Sequence, residues 1–281
     1  MDNWWLIYNE ADVSRNRAYI DMYFASCGKR GIDLRLITLK AVPSDPVKIC
    51  LGQPLPSKAI NRSRDWQLSA YLEDKGVRVY NDSHTAELGN DKLKAVRFAE
   101  NLGIPVPVTA ENESGIDTWP KVMKSRGGHG GTEVFLLHDR HEYEMLKDKK
   151  TADGSGFIFQ KPVSDIGKDL RIYITGGEIT AAMMRQSYND FRSNYCLGGT
   201  ASIHELTDEE RQIAEKICSE LHPAHIGIDL IYDGGKPVFN EIEDAVGSRM
   251  LYRYTDIDVV ELYVAHVLGG QQGVMPGRKD L

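Results

Sequence analysis

The chain has 281 residues, of which 41% are apolar and 27% charged, and carries a formal net charge of −7. These values belong to ordinary globular domains and exclude a disordered or collagen-like chain, and the length calls for two or three compact units. The acidic balance argues against a general nucleic-acid binder, which needs a basic face, and no apolar run reaches the length of a membrane-spanning helix.

The Met1-Asp-Asn-Trp-Trp5 start lacks a basic signal region, so a cytoplasmic protein with no membrane partner is expected. Cys27, Cys50, Cys196 and Cys218 show no paired spacing, as expected of reduced packing thiols. Trp4 to Tyr8 and Leu34 to Leu39 are strand-length apolar runs, and Ser14 to Arg30 between them has helix composition closed by Gly28 and Gly31. This β-α-β opening predicts parallel strands with a right-handed crossover. Pro43 to Pro56, with four prolines, reads as a loop or an insertion; Asp65 to Lys75 reads as a second helix and Val77 to Tyr80 as a further strand. Residues 1 to about 85 are therefore expected to form a small Rossmann-like unit. Arg62-Ser63-Arg64-Asp65 falls at a strand end, where α/β sheets bind ligands, and reads equally as a helix N-cap by Ser63 with solvated neighbours. Asp91 to Leu102 is a helix, followed by a Gly103 to Pro107 linker.

Pro120 to Arg126 then runs as a strand into Gly127-Gly128-His129-Gly130-Gly131, and an apolar strand from Thr132 to Leu137 leaves. Four glycines let backbone N–H groups approach a phosphate, and Lys124 adds a point charge. The loop is neither a Walker loop nor a dinucleotide fingerprint, because a strand and not a helix follows it. His129 is the one histidine placed near this chemistry, although solvent exposure is its expected role. Pro223 breaks the helix on which a His222/His225 ligand spacing would matter. Asp139 with Glu142 and Thr207 with Glu210 have capping-box spacing, and each starts a helix.

Two glycine-turned hairpins supply the remaining charge. Arg171 and Arg185 flank the Gly176-Gly177 turn at five and eight residues, so antiparallel pairing brings them to one end of a sheet, where arginine suits bidentate phosphate contact. Around Gly234-Gly235, Glu241 and Glu243 share one strand face, and a near-symmetric register carries Asp229 close to them. Such gathered carboxylates suit a magnesium ion that completes its shell with water and phosphate oxygens; solvated strand-end carboxylates are the plain alternative.

From residue 76 to 250 the chain resembles the ATP-grasp ligases, most closely their RimK-like branch. The resemblance lies in Gly76-Val-Arg-Val-Tyr80-Asn81, Asn90-Asp-Lys92-Leu-Lys-Ala, Gly103-Ile-Pro-Val-Pro107, Lys121-Val-Met-Lys124 with its glycine loop, Phe159-Gln160-Lys161-Pro-Val163, Asp169-Leu-Arg171, Asp190-Phe-Arg192-Ser-Asn194, Gly198-Gly199-Thr-Ala201, Gly227-Ile-Asp229 and Glu241-Ile-Glu243. It implies a mixed α/β (α+β) ATP-grasp fold, with a Rossmann-like domain at 1–85 followed by two α+β subdomains, 86–160 with the lid and 161–281 with the metal site, which sandwich ATP. Lys92 and Lys124 are similar to the family's phosphate-contacting lysines, and Gly127, Gly128, Gly130 and Gly131 to its lid. Gln160, Lys161 and Val163 fall in the hinge that reads adenine, where many relatives carry a glutamate at the Lys161 position, and Asp169 falls near the ribose. The resemblance further implies that Arg171 and Arg185 face the phosphates, that Arg185, Arg192 and Asn194 serve catalysis, Arg192 and Asn194 lying toward the reacting carboxylate, and that Asp229, Glu241 and Glu243 ligate Mg2+ or Mn2+. The chain departs from the family's Glu-x-Asn pattern at Glu243, which keeps an oxygen ligand but adds a negative charge.

The activity so implied is ATP- and magnesium-dependent carboxylate–amine ligation through an acyl phosphate, on a small-molecule, amino-acid, peptide or protein carboxylate. A catalytically inactive ATP-binding regulator of the same fold and a small-molecule kinase are the alternatives. A homo-oligomer is expected from the relatives, and Arg249 and Tyr252 are candidates for substrate contact.

Overall fold

Trp4, Trp5, Leu6 and Ile7 are all fully buried, a run that a strand accommodates only when both of its faces are covered. In the computed structural model, which describes residues 2–187 and 200–269, they form β1 (Asn3–Asn9). It pairs in parallel with β2 (Asp33–Leu39) on one side and β3 (Lys58–Asn61) on the other, and β4 (Arg78–Tyr80) completes a parallel sheet in the order β2-β1-β3-β4. The crossover between β1 and β2 is broken into α1 (Glu10–Val13) and α2 (Arg17–Gly28) instead of one helix from Ser14. The Pro43 to Pro56 stretch holds a short helix, α3 (Pro46–Cys50), with proline in its first turn, the one position where a missing N–H costs nothing. Next come α4 (Trp66–Asp74), α5 (Ser83–Gly89) and α6 (Lys92–Asn101). The cap of α4 is Asp65 and not Ser63: the Asp65 carboxylate accepts from the Leu68 N–H at 3.1 Å.

A second sheet is antiparallel, in the order β5-β8-β6-β7, from β5 (Thr109–Ala110), β6 (Lys121–Ser125), β7 (Val134–Leu137) and, beyond α7 (Arg140–Leu146), β8 (Phe157–Gln160). At α7 the capping box is half formed. Asp139 caps the helix, but Glu142 reaches back to the His138 N–H, one residue before the cap. The third sheet, also antiparallel, runs β11-β10-β9-β12-β13 and comprises β9 (Asp165–Thr175), β10 (Glu178–Gln186), β11 (Thr200–Ile203), β12 (His225–Asp233) and β13 (Lys236–Glu243). Between β11 and β12, α8 (Asp208–Leu221) starts with the full Thr207/Glu210 capping box.

Alternation along the third sheet divides its faces. Leu170, Ile172, Ile174, Ile226, Ile228, Leu230 and Ile242 point into the largest core, where Ile213, Ile217 and Leu221 of α8 and Ala95, Val96 and Ala99 of α6 cover them. Burial at about 25 cal/mol per Å2 of apolar surface makes this the main force holding the sheet, and it fixes the opposite face as the one left for polar work. After α9 (Arg249–Tyr254), α10 (Val259–Leu268) returns to the first sheet and packs Val260, Tyr263, Val264 and Val267 against Trp4, Leu6 and Tyr23. Cys27 and Cys218 are buried packing residues, as expected; Cys196 lies outside the described residues. Among the described residues no helix is long and apolar enough to cross a membrane.

Candidate active site

Two register shifts build the polar face of the third sheet. An unbroken ladder from the Gly234-Gly235 turn would set Asp229 opposite Asn240, with Glu241 and Glu243 on the core side. A shift between Asp229 and Leu230 pairs Asp229 with Glu241 and Gly227 with Glu243, so all three carboxylates share one face. A second shift, between Ile179 and Ala181, pairs Arg171 with Met183 and Arg185 with Asp169, bringing both arginines to that same face. Because Arg171 also pairs with Asp229, the residues Arg171, Asp229 and Glu241 form a row across three adjacent strands. Gly227 is what lets Arg171 reach Glu243: a Cβ there would stand 2.9 Å from Val246 and 3.4 Å from the Glu243 Cβ.

Asp229 is the centre of charge. Its carboxylate is 1% exposed and accepts from Arg171 Nε at 2.7 Å and Nη2 at 2.6 Å and from Arg185 Nη2 at 2.7 Å. Burial alone would raise its pKa, but the two guanidiniums outweigh burial and hold it at about 2. Arg171 extends to Glu243 at 3.0 Å, and Arg185 is paired through Nε to Asp169 at 2.7 Å. Both oxygens of Asp169 are thus taken by Arg185, and any ribose hydroxyl would share them. Ligand atoms of Asp229, Glu241 and Glu243 lie within 4.8 Å of one another, the only such metal-competent group of His, Cys, Asp and Glu among the described residues. Of the three only Asp229 is buried, which removes the plain alternative of a solvated carboxylate there; Glu241 and Glu243 are partly exposed.

Two lysines meet the Glu241 end of this row, and of the row itself only Glu241 lines the cleft beside them; Arg171, Arg185, Asp229 and Glu243 do not. Lys124, on β6, is buried and donates to Asn240 Oδ1 at 3.0 Å, and burial lowers its pKa to about 8. Lys92, at the start of α6, donates to the Gly128 carbonyl and sits 3.2 Å from Glu241. Lys92, Lys124, Gly128, Gly130, Gly131, Gln160, Lys161, Val163, Asp169 and Glu241 all line the cleft. Gly127 does not line it; its N–H is taken by Ser155 Oγ at 3.0 Å. His129 is half-buried where exposure was expected, and burial, followed by the Arg64 and Lys92 charges, holds its pKa down to about 3. Gln160 donates to Thr109 Oγ1 at 2.9 Å, which ties the hinge to β5.

Sequence reasoning passed over Asn240, Asp165 and Lys168, which also line the cleft. Asn240 stands beside Glu241 at the register shift, and the two-against-one pairing there turns both toward the lysines. No periodicity marks such a shift in advance. Arg249 is exposed; the Tyr252 hydroxyl, on α9, donates to Asp258 and accepts from the Val260 N–H at the start of α10, each at 3.1 Å. Arg192 and Asn194 lie outside the described residues.

Residues 89–267 match the model of the RimK-like ATP-grasp domain. The chain belongs to this family. A probable alpha-L-glutamate ligase of Xanthomonas axonopodis pv. citri is 30% identical over 207 residues, 70% of this chain and 70% of that protein. The fold is similar to that of a RimK domain ATP-grasp protein from Sphaerobacter thermophilus (TM-score 0.71, 21% identity, 95% of this chain and 100% of that one). It is equally similar to D-alanine–D-alanine ligase from Bacillus anthracis (TM-score 0.72, 15% identity, 96% and 98% covered). The chain is thus a mixed α/β ATP-grasp protein and an ATP-dependent ligase that forms C–N bonds between a carboxylate and an amine.

Proposed function

We propose that this ligase clamps ATP between units at 86–160 and 161–281 and joins an amino acid to the carboxylate of a small molecule or peptide through an acyl phosphate. The reading is carried by one cleft lined by Lys92, Lys124, Asp169 and Glu241, with Glu241 continuing across the strands to Asp229 and Arg171, since a triphosphate needs cations on several sides at once. A carboxylate resists direct amine attack because its oxide is a poor leaving group. A substrate carboxylate oxygen therefore attacks the γ-phosphorus, and the bond to the β,γ-bridging oxygen breaks to release ADP. The amine nitrogen then attacks the acyl carbon, inorganic phosphate leaves, and the nitrogen gives up its proton.

In the first step the protein positions and neutralises. Lys92 and Lys124 supply charge from the lid side. Arg171 and Arg185 supply it from the sheet with their orientation already fixed by Asp229 and Asp169. Asp229, Glu241 and Glu243 form a hard-oxygen donor set that fits Mg2+ or Mn2+, and such an ion would neutralise phosphate oxygens at this end of the cleft. Glu243 brings a charge that Arg171 balances at 3.0 Å, so the set accommodates glutamate without an uncompensated carboxylate. We assign Gln160, Lys161 and Val163 to the adenine edge, and Arg192 with Asn194 to the reacting carboxylate.

Incubation with ATP, magnesium and pooled amino acids, with ADP and phosphate assayed separately, tests the proposal. Stoichiometric ADP and phosphate that depend on an amino acid are expected. ADP accompanied by a stable phosphorylated product, formed without an amine, would overturn it in favour of a kinase.

A further inference from the structure

Strand β6 carries two buried lysines whose charges are met differently. Lys121 is 3% exposed; its ammonium pairs with the Glu113 carboxylate and donates to the Glu113 carbonyl at 3.0 Å. Lys124 is 4% exposed, yet among the described residues it has no ion pair, and its ammonium donates to a single acceptor, the amide oxygen of Asn240 at 3.0 Å. A buried ammonium met only by a neutral amide keeps most of its positive field, and the fold bears the desolvation cost. Where the lysine lies away from the cleft the chain supplies a carboxylate; where it lines the cleft the chain supplies an amide.

The backbone brings that amide into place. Pairing between β12 and β13 passes from Asp229 with Glu241 to Leu230 with Phe239, so Asn240 is the extra residue of the bulge, a device that re-aims a side chain at the expense of regular ladder pairing. Asn240 and Lys124 line the cleft together, with Lys92 and Glu241 beside them. Lys92 is already answered there, 3.2 Å from the Glu241 carboxylate and bonded to the Gly128 carbonyl. Of these two lysines, Lys124 alone offers a charge that no carboxylate has taken.

Resting on the ligase reading above, we propose that Asn240 is a positioning residue for the phosphate chain: its amide oxygen fixes the Lys124 ammonium at the cleft wall without neutralising it. A carboxylate in its place would hold the lysine equally well and cancel the charge that the polyphosphate is to meet. An apolar side chain would spare the charge and lose the aim.

Calorimetric titration of the full chain, in magnesium, with a nonhydrolysable ATP analogue and with adenosine tests the assignment. Asn240→Leu and Asn240→Asp should each bind the analogue about 10-fold more weakly and leave adenosine, which has no phosphate, bound as before. Asn240→Gln, with a neutral oxygen on a longer stem, should recover part of the loss. Lys124→Met alone should cost about 10- to 100-fold, and adding Asn240→Leu to it should cost nothing further, because both act through one ammonium. Native affinity for the analogue in Asn240→Leu or in Asn240→Asp, an equal loss for adenosine, or a full Asn240→Leu penalty persisting beside Lys124→Met would each overturn the proposal. Failure of the native chain to take up the analogue would instead sink the ligase reading itself, and that is read before any substitution is made.

Discussion

Replacing Asp229 by asparagine preserves shape and removes one charge, which isolates what that charge contributes. The native carboxylate receives three charge-assisted hydrogen bonds from Arg171 and Arg185 and is almost fully buried. In the variant, two buried guanidiniums lose their shared counter-charge, and breaking a buried pair in this way costs about 3–5 kcal/mol. Linkage gives an independent bound. A carboxyl lowered from 3.8 to about 2 favours the folded state by about 2 kcal/mol near neutrality, so the effect of removing the whole group should exceed that figure. The folded pKa lies below the unfolded one, so this stabilisation is fully present above about pH 4 and fades as the pH falls through about 2. Urea unfolding in EDTA, which keeps divalent ions out of the comparison, should show Asp229→Asn less stable by about 3–5 kcal/mol at pH 7, with a melting temperature lower by about 10 °C. The gap should be constant from pH 8 to 5 and narrow below about pH 4. A gap under about 1 kcal/mol at pH 7, or one that widens in acid, would refute the view that the arginines are organised by this carboxylate.

Burial lowers the Lys124 pKa to about 8, so the lysine loses its charge as the pH rises through that value; ADP affinity measured by calorimetry should hold below about pH 7.5 and fall above it, with Lys124→Arg nearly flat to pH 9.5. Without nucleotide the sign reverses: between about 8 and 10.5 the unfolded chain binds the extra proton, so raising the pH through this window should stabilise the native chain relative to Lys124→Met. Gly89→Ala would place a Cβ 2.6 Å from the Asp244 Cβ and 2.8 Å from its backbone nitrogen, so the turn after β13 must move; denaturation should report a loss of about 1–3 kcal/mol and, with the neighbouring carboxylates displaced, weaker magnesium-dependent nucleotide binding.

Much of this protein is written locally. Apolar runs at Trp4 to Tyr8 and Leu34 to Leu39, helix caps at Asp91 and Thr207, and glycine pairs at 176–177 and 234–235 mark strands, helices and hairpins because each acts within a few residues of itself. The motif order from Lys92 to Glu243 was likewise legible, and it named the family. The boundaries that slipped, at Ser14 and Ser63, were places where two plausible starts or caps compete and tertiary packing chooses between them.

What the sequence could not settle was which way the critical side chains face. Strand side chains alternate with a period of two, so one extra residue in a ladder sends a whole set to the other side of the sheet. From the turns alone Asp229 belongs opposite Asn240 and Arg171 opposite Ala182, and the carboxylates and arginines would be split between core and cleft. The shifts after Asp229 and Ile179 arise because the sheet as a whole must bury Leu170, Ile172, Ile228, Leu230 and Ile242 against α6 and α8. That demand comes from residues far away in the chain, and it alone placed Arg171, Arg185, Asp229, Glu241 and Glu243 on one face.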